Sequence, residues 1–399
     1  MPVEKNKSAL SGFVIGIDGT NLRQGGGITH LVELLHTAKP EKHGISQVAV
    51  WACASTLAAI EDRPWLLKLN PPELDRGMIK RILWQKFKLS QAAQALGCEL
   101  LFVPGGSYAG SFKPVVTMSR NMLPFEMQEL SRYGWSLITL RLLILRLSQS
   151  HSFHHADGVV FLTQYARESV LTITGAMQGQ TPIIPHGLNA RFQMTPKTQR
   201  PIAEYDIDNP YRVIYVSIID LYKHQWHVVE AVAALRLAGL PVTLDLIGPA
   251  FPPALSRMET SINRWDPQRS WVSYHGAIPY ADLPLKYAQA DLAVFASSCE
   301  NMPNILLETM AAGLPVACSN RGPMPEVLGD AGVYFDPEQP MEIARALREL
   351  IVSPQLRAEM AKASYERSLQ LSWQRCADDT FVFLAQVALQ HKASICAAS

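Results

Sequence analysis

Apolar residues along this chain fall into short unspaced runs that alternate with longer stretches of helical spacing. The runs at 13–19, 47–52, 99–103, 115–118, 158–162 and 181–184 lack helical periodicity and read as buried parallel strands. Between them, residues 28–37, 78–96, 125–149 and 163–174 read as helices. Residues 188–211 then turn polar and proline-bearing (Pro196, Pro201, Pro210), as a linker does. A second series follows, with strands at 213–217, 243–247, 272–275, 292–296, 315–318 and 332–335. Its helices are expected at 223–238, 305–312, 341–351, 354–369 and 373–389. Two strand–helix arrays in tandem predict an α/β chain with two parallel sheets.

Size supports that division, because 399 residues exceed what one hydrophobic core usually serves. A hydrophobic content of 48% against 18% charged residues is that of a globular chain. A formal net charge of +1 points away from a nucleic-acid partner. The six cysteines are scattered without close pairs, which is neither a disulfide framework nor a zinc knuckle and fits a reducing cytosol. The lysines near the N-terminus precede an apolar run broken by Asp18, so a strand is expected there instead of a signal peptide. No run reaches the ~18 apolar residues of a spanning helix.

Chemistry concentrates at residues 297–319. The strand at 292–296 runs into Glu300, Asn301, Met302, Pro303 and Asn304, and the helix that follows carries Glu308 eight positions after Glu300. Gly313 and Pro315 stop that helix. Open α/β sheets bind ligands at the carboxyl ends of their strands, and a helix start there favours phosphate through unpaired amides and a positive dipole end. A carboxylate beside an anion site suits a different task, accepting hydrogen bonds from sugar hydroxyls. Two such acceptors flanking a phosphate cradle describe a sugar-nucleotide site. The plain alternative is that Glu300 and Glu308 are solvated charges.

Glu300, seven intervening residues, Glu308 and then Ala311-Ala-Gly313-Leu-Pro315-Val316 resemble the donor-site signature of the retaining family-four glycosyltransferases, which have the GT-B fold. The resemblance continues through Arg321-Gly-Pro-Met-Pro-Glu326 to Asp336. Upstream it takes in Tyr215 to Lys223 and Pro185-His186-Gly187-Leu-Asn189. Residues 180–375 carry it well; the first half follows by pattern alone. It implies two Rossmann-like, doubly wound domains facing a central cleft. Residues 1–190 would form the acceptor domain and 205–372 the donor domain, with a C-terminal helix within 373–399 crossing back to the first.

Further candidates follow from position. Gly25, Gly26 and Gly27 precede a helix after the first strand, without the dinucleotide-binding spacing. The resemblance implies that this loop nears the donor phosphates and the acceptor; a flexible entrance loop is the alternative. Lys223, just after the first strand of the second array, places a cation where a diphosphate would leave. The family usually has an arginine five positions earlier, where this chain has Ile218, and no other cation is assigned to that charge. Arg120 and Asn121 follow the strand at 115–118 and belong to the cleft rim, as acceptor or phosphate contacts or as a cap of the next helix. A histidine near this point contacts the donor in many relatives, and this chain has none. His186 ends the 181–184 strand and faces the cleft, as a hinge or a ligand contact. His151, His154 and His155 have helical spacing, but no carboxylate or cysteine joins them, so no metal is expected.

The stretch from Trp135 through Arg141 to Arg146 is strongly apolar with interspersed arginines. It is read first as a core helix with snorkelling arginines; peripheral contact with the inner face of an anionic membrane is the second reading. The function expected is retaining transfer of a hexose from a nucleotide-diphosphate sugar, such as GDP-mannose or a UDP-hexose, to a hydroxyl of a glycan or polyprenyl-linked acceptor. Surface polysaccharide or lipopolysaccharide synthesis in the cytoplasm is the expected setting. Lys223 and the amides around Met302, Pro303, Asn304 and Ile305 would steady the leaving diphosphate. Glu300 would hold the sugar, Glu308 the ribose, and no cofactor is required. The alternatives are a catalytically silent sugar-nucleotide binding protein or a nucleotide-sugar epimerase on the same fold.

Overall fold

The structure, a computed structural model, describes residues 12–23 and 25–398. The lysine-bearing stretch 1–11, Gln24 in the glycine loop and Ser399 lie outside the described residues. The first sheet comprises β1 (Phe13–Asp18), β2 (Ile45–Trp51), β3 (Leu66–Leu69), β4 (Leu100–Val103), β5 (Val115–Met118) and β6 (Gly158–Val160), in the order β3-β2-β1-β4-β5-β6. The second comprises β7 (Tyr211–Val216), β8 (Val242–Ile247), β9 (Val272–Tyr274), β10 (Leu292–Phe295), β11 (Val316–Ser319) and β12 (Val333–Phe335), in the order β12-β11-β10-β7-β8-β9. All neighbouring pairs in both sheets are parallel.

Counted from its own first strand, each sheet has the doubly wound order 3-2-1-4-5-6. Chain order reverses beside β1 in one sheet and beside β7 in the other, and ligands bind past the carboxyl ends of strands at such points. The central strands are buried on both faces, as the unspaced runs foretold; β4, β5 and β10 are buried throughout. The first helix, Gly26–Thr37, buries Gly27, His30, Leu31, Leu34 and Leu35, one stripe at three- and four-residue spacing.

Several elements differ from the sequence reading. Residues 181–184 form only an isolated bridge, Phe161 with Ile183, because Pro182 and Pro185 remove the donors a ladder needs. The helix expected over 78–96 is two, Met78–Phe87 and Leu89–Ala95. That expected over 125–149 is also two, Met127–Ser131 and Leu137–His155, parted by a turn at Gly134 with φ 58°. The second of these is not a core helix over most of its length. Among its residues only Leu142, Gln149, Ser152 and Phe153 are buried, while Leu137, Leu140, Leu143, Ile144 and Leu147 face solvent. Edge strand β3 and the helices Pro252–Trp265 and Leu283–Gln289 escaped the sequence reading.

The C-terminal helix, Trp373–Ala398, packs on the Gly26–Thr37 helix and on β4 of the first sheet. Thr37 Oγ1 donates to Trp373 O at 3.1 Å, and Lys392 Nζ lies 3.4 Å from Glu99 Oε2. Beside its start the chain crosses between the sheets a second time, where Leu188 N donates to Leu371 O at 3.2 Å. The crossings pack so closely that a Cβ on Gly187 would lie 2.1 Å from Trp373 N. Two facing Rossmann-like sheets with a returning C-terminal helix make the GT-B architecture.

Candidate functional site

The loops at the carboxyl ends of β1, β5, β7 and β10 converge between the sheets. After β10, the loop to the helix Asn304–Ala311 is held from both sides. Ser298 N donates to Tyr222 O at 2.8 Å, and Thr163 Oγ1, from the first half, donates to Asn301 O at 2.9 Å. Asn301 Nδ2 reaches Ser119 Oγ at 3.3 Å. No side chain caps the Asn304–Ala311 helix, whose flanking residue is Pro303. The buried oxygens Asn301 Oδ1 and Asn304 Oδ1 have no protein partner. Met302 and Pro303 are buried and Ile305 is half-buried.

Lys223 and Glu300 form a salt bridge, with the side chains only 7% and 15% exposed. The ammonium also lies 4.9 Å from the centre of the Tyr222 ring and 5.4 Å from that of Phe295. Removing one member of such a pair strands the other charge, typically at about 3–5 kcal/mol. Lys223 is aimed by the next residue, His224, which takes the left-handed conformation (φ 53°) and sits 3.0 Å from Ser298 Oγ through Nε2. Burial takes the His224 imidazole down to about 2, so it is neutral.

Glu308 is buried, and Tyr280 OH donates to its Oε1 at 2.6 Å. Its Oε2 is buried without a partner. Burial pushes this carboxyl up to about 7, against the opposing pull of the Tyr280 hydrogen bond and the Arg191 charge. It lines a pocket of ≈ 180 Å³ with Gly26, Glu33, Asn304, Ile305, Tyr280 and Trp373. Gly25, with φ 68°, makes the turn into the first helix. Gly27 allows a close approach, since a Cβ there would lie 2.7 Å from Arg120 Nη1. Asn121 does not cap the following helix; its Oδ1 accepts from Leu123 N at 3.1 Å in a local turn.

His186 Nδ1 lies 2.9 Å from His30 Nδ1, both rings buried, and the Trp373 ring packs on the pair. Burial lowers both imidazoles below their usual range, so the pair is neutral, with one ring donating to the other. Burial and then the Arg120 charge bring His186 down to about 3. On the far side of the cleft Ser298 Oγ donates to Glu129 Oε2 at 2.7 Å, and Arg132 ties Glu129 to Glu338. Tyr165 OH donates to Glu126 Oε1 at 3.0 Å, and burial, with repulsion from Glu129 and Glu300, raises Glu126 to about 7. His151 and His155 are exposed, and their rings lie tilted to one another with centroids 4.1 Å apart. Among the described residues no group of three His, Cys, Asp or Glu side chains is placed to hold a metal.

The structure thus brings Lys223 to Glu300. It gathers Gly26, Asn304, Ile305 and Glu308 at one pocket, sets Arg120 against Gly27, and packs His186 between His30 and Trp373 beside the chain crossing. The sequence reading missed Tyr280, Glu33, Glu129 and His30. Nothing local marks these residues; each gains its role from an element distant in sequence.

Residues 199–367 match the model of the family described as Glycosyl transferases group 1. The O-antigen chain mannosyltransferase B of Escherichia coli is 34% identical over 113 residues, 28% of this chain and 30% of the relative. A GDP-mannose-dependent alpha-(1-6)-phosphatidylinositol monomannoside mannosyltransferase of Mycolicibacterium smegmatis is 26% identical over 254 residues, 60% of this chain and 64% of the relative. Both alignments therefore span less than two thirds of the relative's length. Among solved structures, a sucrose-phosphate synthase from Thermosynechococcus elongatus superposes with a TM-score of 0.70 at 19% identity, covering 97% of this chain and 100% of that one. Anabaena HepE in complex with UDP and glucose gives 0.63 at 18% identity, over 96% and 100%. The resemblance read from the sequence holds at the level of this family for the matched segment, and of the GT-B fold for the chain.

Proposed function

We propose that this chain is a retaining glycosyltransferase that moves a hexose from a nucleotide-diphosphate sugar to a hydroxyl of a glycan or glycolipid. Glu308 carries the reading. A buried carboxylate with one oxygen bonded to Tyr280 and the other orphaned, at the rim of a cleft pocket, has the acceptor a ribose hydroxyl needs. The Lys223–Glu300 pair then sits where the sugar and the departing diphosphate meet. Glu300 takes the hexose hydroxyls, and Lys223 with the uncapped amides near Asn304 stabilises the developing charge. Relatives named for mannosyl transfer favour GDP-mannose as the first donor to test and an O-antigen-like glycan as acceptor. The competing reading, a silent sugar-nucleotide binding protein, draws on Ile218.

A thermal-shift screen of GDP-mannose, UDP-glucose and other nucleotide sugars, followed by transfer assays with NMR of the product anomer, tests the proposal. A donor at 100 times its Kd adds about 2.7 kcal/mol of stability. Binding without transfer or donor hydrolysis favours the silent reading, and an inverted product overturns retention.

The acceptor end points to a membrane surface. Among the described residues no helix is long and apolar enough to cross a membrane. The helix Leu137–His155 nevertheless presents Leu140, Ile144 and Leu147 to solvent beside Arg141, with Trp135, fully exposed, just before it. The helix Met78–Phe87 exposes Ile79, Leu83 and Phe87 with Lys80 and Lys86. Both helices grip one loop, Gln85 through Ala109 N at 3.0 Å and Ser152 through Tyr108 N at 2.8 Å. Apolar residues among cations suit an anionic lipid surface. The double variant Leu140→Glu/Ile144→Glu is expected to lose co-sedimentation with phosphatidylglycerol vesicles and keep its fold; undiminished binding refutes this surface.

A further inference from the structure

Three loops at the carboxyl edge of the first sheet, after the adjacent strands β1, β2 and β3, knit together around two arginines. None of their residues lines the pocket at Glu308. Thr56 Oγ1 donates to Leu22 O at 2.7 Å, Ala54 N to Asp75 Oδ1 at 2.9 Å, and Arg23 Nη2 to Leu74 O at 3.0 Å. Arg81, from the helix Met78–Phe87, joins them through Nη1, which donates to Thr20 O at 2.9 Å. The carboxyl edge of an open α/β sheet is where such folds hold ligands.

Both arginines are half-buried, and neither forms a salt bridge among the described residues. The carboxylates of the same loops are engaged elsewhere. Asp75 holds Ala54 N, Glu73 pairs with Lys88, and Asp18 accepts from Thr20 and Gln85. Arg81 Nε is buried with no partner. Burial first, and then repulsion from Arg23, lower the Arg81 pKa. Cys53 registers the same field: burial raises its pKa, but hydrogen bonds from Ser55, Thr56 and Arg23 outweigh this and bring it to about 7. Two guanidinium forks with no carboxylate between them match an anion with several oxygens. A second feature says what that anion is attached to. The helix that sends Arg81 inward turns Ile79 and Leu83 to solvent, so cation and apolar surface lie on opposite sides of one helix.

We infer that Arg23 and Arg81 bind a phosphoryl group of a lipid-linked acceptor, whose apolar chain lies along the Met78–Phe87 helix. This rests on the glycolipid-acceptor reading above and deepens it by naming the charged group the acceptor carries. A bilayer phospholipid and free phosphate share this chemistry, and the test separates the three sources.

Wild type, Arg23→Gln, Arg81→Gln, their double variant and Arg81→Lys are titrated calorimetrically with farnesyl phosphate, farnesol and inorganic phosphate. Co-sedimentation with phosphatidylglycerol vesicles and the thermal shift given by nucleotide sugars are measured alongside. Wild type should hold farnesyl phosphate more tightly than farnesol. Each glutamine should cost about 10- to 100-fold in that affinity and leave farnesol binding unchanged. The double variant should bind the two alike, and Arg81→Lys, which keeps the charge, should recover part of the loss. The donor-induced thermal shift should persist in every variant. Equal affinity of wild type for farnesyl phosphate and farnesol, or undiminished farnesyl phosphate binding by the double variant, overturns the inference. Losses for farnesol as large as those for farnesyl phosphate assign the arginines a structural role and overturn it too. Inorganic phosphate binding as tightly as farnesyl phosphate, or a fall in vesicle binding alone, puts a free phosphate or a bilayer headgroup at the site and overturns the acceptor assignment. If wild type discriminates farnesyl phosphate from farnesol but no nucleotide sugar shifts its melting, the site stands and the nucleotide-sugar reading fails.

Discussion

Glu308→Gln tests the carboxylate on which the functional reading turns, through a property no solvated glutamate would have. Burial lifts its pKa from 4.5 to about 7, and each unit corresponds to 1.36 kcal/mol, so ionising it in the folded, ligand-free protein costs roughly 3 kcal/mol. The unfolded chain releases this proton near 4.5 and the folded chain near 7. The contribution to stability is therefore complete below pH 4.5 and is lost as pH rises through 7. Glutamine keeps an oxygen for the Tyr280 hydroxyl and does not titrate. Urea unfolding of ligand-free wild type and variant at pH 5 and pH 8 should show the variant gaining roughly 2–3 kcal/mol relative to wild type over that interval. The lowered imidazoles, His186 among them, destabilise both proteins alike on acidification, and Glu126 adds the same slope to both, so the difference isolates Glu308. The amide also turns an acceptor into a donor at the orphaned position, which should weaken donor binding by about 1–3 kcal/mol. Parallel pH profiles, or unchanged affinity for every nucleotide sugar tested, would refute the reasoning.

Two further outcomes follow from the cleft. Lys223→Ala is expected to slow sugar transfer by about 10²–10³ and Glu300→Gln to reduce turnover more than donor affinity; steady-state kinetics near the parental values in either variant would return the pair to a structural role. Gly187→Ala drives a methyl group into the backbone of Trp373 and should lower stability by at least about 1–3 kcal/mol, read as a fall in the urea midpoint; a wild-type midpoint would mean that the paired crossing can separate freely.

Strands were legible because parallel strands covered on both faces must be apolar without spacing, as β4, β5 and β10 are. The loop at 297–304 was legible because a strand, a glutamate and an uncapped helix start are consecutive in the chain. Its partners were not. Tyr280 reaches Glu308 from 28 positions away and His30 meets His186 across 156, distances that no periodicity encodes. The helix over 137–155 shows the limit most plainly. Its leucines satisfy the pattern of a core helix, and only the packing of the chain decides that most of them face solvent. Composition sets which residues can be buried; which charges then lack a counter-ion, as Arg120 does while Lys223 does not, is decided only when the two sheets face each other.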